Sequence, residues 1–92
     1  GTAVNRVNPP IKFKILPNPS TDYAHFYFDP TSANNVKGEL YDAEGKLLRT
    51  YPYLQPSITY TIDLSEYPAG TYMLRLQSAN QSTVQKLVKL NK

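Results

Sequence analysis

At 92 residues and without a cysteine, the chain has room for one small domain, since chains divide at roughly 100 to 200 residues per domain. Disulfides, cysteine-held zinc, iron–sulfur clusters and thiol nucleophiles are excluded together, so packing and hydrogen bonds must hold the fold. A net charge of +3 and a total of 22 Leu, Ile, Val and Phe keep the chain out of the disordered class, with a thin core.

Gly1–Pro10 is polar and ends in Pro9-Pro10, which reads as an extended linker because consecutive prolines fix φ and forbid helix. The domain proper is expected over residues 11–92, and the linker leads away from a preceding one. Ile11-Lys12-Phe13-Lys14-Ile15 alternates strictly, placing three apolar side chains on one face of a strand and two lysines on the other. Within Tyr23–Phe28 the inward set is Ala24, Phe26 and Phe28, with His25 and Tyr27 outward. Val36–Asp42 and Lys46–Tyr51 flank Asp42-Ala43-Glu44-Gly45, a hairpin turn with Asp first and Gly last. Ile58, Tyr60, Ile62 and Leu64 alternate with Thr59, Thr61 and Asp63. Tyr72, Leu74 and Leu76 alternate with Thr71, Met73, Arg75 and Gln77. Thr83–Leu90 is out of phase, because Val84, Val88 and Leu90 share a face with Lys86 while Leu87 points the other way. Either a bulge re-phases it or it lies at a sheet edge. Seven short strands at this spacing predict an all-β, immunoglobulin-like antiparallel β-sandwich. Tyr72, just past Pro68-Ala69-Gly70, is the candidate tyrosine corner, whose hydroxyl bonds back to upstream backbone.

Chemistry is sparse. His25 is the single histidine, it lies on an outward face, and no G-x-S-x-G occurs, so nucleophilic catalysis lacks its base. Asp42–Gly45 lacks the spaced acidic ligands of a calcium loop and reads as a plain turn. The four glycines form no phosphate-cradling loop. Asn80-Gln81-Ser82 matches a glycosylation sequon within a turn. Tyr23, Tyr27, Tyr51 and Tyr53 are expected to cover sheet surface, with sugar stacking as the functional alternative. Residues 1–66 carry a net charge of −1, whereas residues 67–92 carry Arg75, Lys86, Lys89 and Lys92 with no acid, a net +4. Spread over that length, these cations read first as a solvated strand face; a nucleic-acid binder is the lesser reading, and it would bind with a steep salt dependence. No run of 18 apolar residues exists to span a membrane. Residue 1 is Gly and no targeting segment follows it, so the chain is expected to be a piece of something longer. The expectation is a domain without catalysis, cofactor or metal.

Leu16-Pro17-Asn18-Pro19-Ser20 resembles the PNP motif that opens type IX secretion C-terminal sorting domains of type A, found in Bacteroidota. The later pieces agree in order. Val36–Gly45 with Lys46-Leu47-Leu48 resembles that family's hairpin, Leu64 followed by Tyr67–Leu76 resembles its P-A-G-x-Y segment, and Lys86–Leu90 resembles its closing basic and apolar strand. Leu16 stands where Tyr is frequent, and Leu76 where Val is. The resemblance implies an address label: a cargo carrying the domain passes from the periplasm through the outer-membrane translocon. A surface sortase then cuts in the linker and joins the cargo to anionic lipopolysaccharide. Pro17, Asn18, Pro19, Gly45, Pro68, Gly70 and Tyr72 are the candidate fold-specifying residues, although the PNP and P-A-G motifs are equally open to touching a partner. Gly70, Tyr72, Arg75, Lys86, Val88, Lys89 and Lys92 are the candidates for translocon recognition, their cations steering the last hairpin toward an acidic surface. The alternative is an immunoglobulin-like adhesion or carbohydrate-binding module retained at the surface, marked by outward tyrosines lining one groove.

Overall fold

We describe a computed structural model of the chain over residues 11–29, 35–79 and 81–91. The expected linker, Asn80 of the sequon and Lys92 lie outside these described residues. Seven strands follow one another: β1 (Phe13–Leu16), β2 (Tyr23–Phe28), β3 (Val36–Asp42), β4 (Leu47–Leu54), β5 (Tyr60–Asp63), β6 (Gly70–Gln77) and β7 (Ser82–Lys89). They form two sheets, ordered β1-β2-β5 and β4-β3-β6-β7, and every neighbouring pair is antiparallel. The expected all-β fold of seven strands in a sandwich is thus observed, and no helix occurs among the described residues.

The alternating sets close on one core. Ile11, Phe13 and Ile15 meet Ala24, Phe26 and Phe28 from the small sheet and Val36, Leu40, Leu54, Tyr72, Leu74, Leu76 and Leu87 from the large one, with Ile62 and Leu64 completing the cluster. Each Ile, Leu or Phe among them contributes about 1.5–3 kcal/mol on leaving water, and a core this small leaves little to spare. At the tip of the β3–β4 hairpin, Asp42 Oδ1 accepts the N–H groups of Glu44 and Lys46, both at 2.9 Å. Gly45 turns the chain there at φ 87°, where a Cβ would be strained.

Three stretches depart from the alternation. Ile58, expected inward, is 46% exposed, because Ser57 takes the left-handed conformation (φ 65°) and donates its N–H to Phe28 O at 2.8 Å. Strand β5 therefore begins only at Tyr60. Tyr51, expected at the surface, is half-buried; its ring meets Phe26 edge-on at 5.6 Å, and Tyr60 stacks on Phe26 at 5.4 Å. The third departure is β7. Its pairing with β6 is continuous, residue for residue, from Gly70↔Lys89 to Gln77↔Ser82. No bulge re-phases it; it is the sheet's edge strand. Its inward members are Leu87 and Lys89, both buried, while Val84 and Leu90 are about half exposed, at 53% and 47%. The lysine is inside and the valine outside.

Candidate functional site

The large sheet has two edges, and they differ. Strand β4 carries Pro52, which has no N–H to offer, and its pairing with β3 shifts register twice; both features discourage a further strand. On the opposite edge, β7 is straight and regular, and there the PNP turn docks. Asn18 Nδ2 donates to Lys86 O at 2.9 Å, and Asn18 Oδ1 accepts the N–H of Val88 at 3.1 Å. Two residues on, Ser20 N–H donates to Val88 O at 2.9 Å and Leu90 N–H to Ser20 O at 2.7 Å, a parallel bridge. A side-chain amide and one residue of backbone thus extend the ladder along the Lys86–Leu90 part of this edge as a short added strand would. Both X-Pro bonds of the turn, Leu16-Pro17 and Asn18-Pro19, are cis. The motif caps part of this edge.

Lys89 sits beneath that cap. Its Nζ donates to Leu64 O and Tyr67 O, both at 2.6 Å, and lies 3.7 Å from Asp22 Oδ1. With 9% of its surface exposed, its charge is spent on the loop between β5 and β6. A buried ammonium is tolerable only with its donors occupied; the two carbonyls take two of its three, and the Asp22 carboxylate stands beside the charge. The same loop is fixed from its other end, where the Tyr72 hydroxyl donates to Pro68 O, the corner contact expected of it. Burial pushes the Tyr72 phenol up, which keeps its proton in place. Asp63 completes the loop's entry: the Ser65 hydroxyl and N–H, at 2.6 and 2.9 Å, hold its carboxyl below the ordinary carboxylate range.

The expected recognition residues therefore divide. Tyr72 and Lys89 are inside, and the expectation that the Lys89 charge faces a partner is corrected by its burial against Leu64 O and Tyr67 O. Gly70, exposed at φ 153°, turns the chain into β6 and pairs with Lys89. Lys86 is exposed, Arg75 and Val88 are partly so, and Arg75 Nε donates to Ser82 Oγ at 2.9 Å. Arg75 pairs with Val84, and Met73 with Lys86, so these cations line the outer face beside the β7 edge. Asp22 and Gln85 also belong to this site, and Ser20 belongs to it through its backbone. Gln85 points inward and its Nε2 donates to Phe13 O in the other sheet, a tie between β7 and β1. A polar residue at an inward strand position was the available signal. His25, on the outer face of the small sheet, lies 3.1 Å from Thr61 Oγ1 and is exposed. The tyrosines do not share a groove: Tyr23 and Tyr27 lie on the outer face of the small sheet, whereas Tyr51, Tyr53 and Tyr60 line a shallow cleft of about 260 Å³ with Pro52 and Leu54.

Residues 14–90 match the family described as secretion system C-terminal sorting domain. The chain belongs to this family, that of the type IX secretion sorting domains. Comparison with curated proteins returns no match. For a sorting domain the relevant output is recognition by the type IX secretion machinery on behalf of an exported cargo. Asn18, Lys89 and Tyr72 all brace the β6–β7 hairpin or the loop that enters it.

Proposed function

We propose that this sorting domain is the address of a cargo passing from the periplasm across the outer membrane to the cell surface or medium, and that the β6–β7 hairpin is the part read. The match over residues 14–90 carries the reading; the geometry supports it, because the family's motif residues here hold one hairpin in register. In this reading Arg75 and Lys86 present charge to an acidic surface of the translocon, while Gly1–Pro10 is cut by a sortase that attaches the cargo to anionic lipopolysaccharide. The domain is then the substrate of that cut and itself performs no reaction.

The test is a periplasm-directed reporter carrying the whole chain at its end, with a second reporter carrying only residues 71–92. Export of the first to the surface or medium is expected, and retention in the periplasm would refute the proposal. The second fusion should export poorly, because Asn18 and the Leu64–Tyr67 carbonyls are missing from it. A retained carbohydrate-binding module is the second reading, favoured by the aromatic cleft of Tyr51, Tyr53 and Tyr60. It requires saturable glycan binding that Tyr53→Ala abolishes.

A further inference from the structure

The PNP cap covers only part of the β7 edge, and what it leaves open is a defined site. Backbone groups of an antiparallel strand point alternately toward and away from its partner. Because Lys86 O, both groups of Val88 and Leu90 N–H point away from β6 into the cap, the same parity turns Val84 N–H, Val84 C=O and Lys86 N–H outward. No partner for these three is found among the described residues. Beside them, Val84 exposes 53% of its surface. Arg75 and Lys86 flank Val84 on the outer face of the sheet, and Lys12 and Lys14 are exposed on either side of Phe13, whose carbonyl accepts from Gln85. Two acids stand near these four cations. Asp29 lies in a shallow cleft with Lys12 and Lys14, and Glu39 is paired with Arg75 across β3 and β6. The balance is positive.

We propose that the uncapped Ser82–Lys86 segment of β7 is a strand-addition site for an extended acidic segment of a partner protein, and that the Asn18–Ser20 cap sets its lower boundary. This rests on the sorting reading for the partner's role but not for the binding itself. Main-chain hydrogen bonds to Val84 and Lys86 supply affinity, an apolar side chain of the guest covers Val84, and its carboxylates meet Arg75 and Lys86. Residues 88–90 take no part, since Asn18 and Ser20 already fill their ladder. The edge that the alternation marked as out of phase is thereby two edges, one closed by the chain and one left for a partner.

A capped peptide of alternating glutamate and valine is the probe, added to the whole chain while amide hydrogen exchange is followed by NMR. Val84 and Lys86 amides should slow about tenfold once the peptide exceeds its Kd by about that factor, with Val88 and Leu90 unchanged and the effect fading as salt rises. Equal protection by a lysine–valine peptide, or none by either, overturns the proposal. Val84→Pro removes only an outward N–H, which an edge strand tolerates, and should end binding with the melting temperature nearly kept. Lys86→Glu, which leaves the backbone intact, should weaken binding and provides a second variant if the proline unfolds the chain; unaltered binding in a folded Val84→Pro variant overturns the proposal as well. In the reporter assay the two readings separate. A wild-type fusion that stays in the periplasm refutes sorting and leaves the peptide result standing, whereas a Val84→Pro fusion exported like the wild type refutes the edge site alone.

Discussion

Lys89 is the residue whose role the structure most changes, and Lys89→Met isolates it. Methionine keeps the length and packing of the stem but removes the ammonium, leaving Leu64 O and Tyr67 O without the donors that reach them at 2.6 Å. Hydrogen bonds to charged groups are worth roughly 1.5–3 kcal/mol each, and returning the ammonium's own desolvation cost offsets part of two such bonds. A net loss of about 3 kcal/mol is expected, which for a domain of this size lowers the melting temperature by roughly 12–24 °C. Thermal unfolding followed by circular dichroism measures it, with Lys86→Met as the matched exposed control, expected to change stability by less than about 0.5 kcal/mol. If Lys89→Met were as stable as the wild type yet no longer exported, the buried-tie argument would be wrong and Lys89 would be a recognition charge.

The other expectations are more local. Tyr72→Phe deletes the hydroxyl that donates to Pro68 O and should cost about 1–3 kcal/mol in denaturant unfolding, the penalty for one lost partner in a half-buried corner; a change near zero would mean water replaces it. Asn18→Ala removes the bond to the Val88 amide and should raise that amide's hydrogen exchange well before any change in global stability, while exchange at Leu74 stays slow. Asp63 has a folded pKa below its unfolded value, chiefly through the Ser65 hydroxyl and then its N–H, so it stabilises the fold above the unfolded value of about 4 and loses that contribution as pH falls through the folded one. An Asp63→Asn variant should therefore show a flatter acid limb in a stability–pH curve, and an unchanged limb would remove Asp63 from the argument.

How much of this was legible in sequence depends on whether one strand or two elements decided a residue's place. Alternation alone located the inward sets of β1, β2 and β6, because there the apolar residues fall on every second position and a single face is buried. It failed at Ile58, where the left-handed Ser57 ends the extended run, a backbone state that residue type does not announce. In β7 it left two readings open, a bulge or a sheet edge, and the strand is the edge. The inward face of β7 is set by Leu87 together with Gln85 and Lys89, one partly buried and one buried polar residue, turned inward because particular carbonyls on other segments wait for them. Those carbonyls belong to Phe13, Leu64 and Tyr67, up to 72 residues away, and no local period encodes such a distance.

The same distances bear on what a receptor can read. A hairpin of two strands is marginal in water by itself, and this one is completed by Asn18 and Ser20 on its edge and by Leu64 and Tyr67 around its buried lysine. The β7 ladder is therefore correct only when the first and fifth strands have already found their places in the other sheet. A partner that docks against Val84 and Lys86 backbone samples that completed ladder, so it distinguishes a folded domain from an unfolded one with the same final residues. A sorting signal built this way reports the state of its own domain as well as its sequence, which a linear terminal tag of equal length could not do.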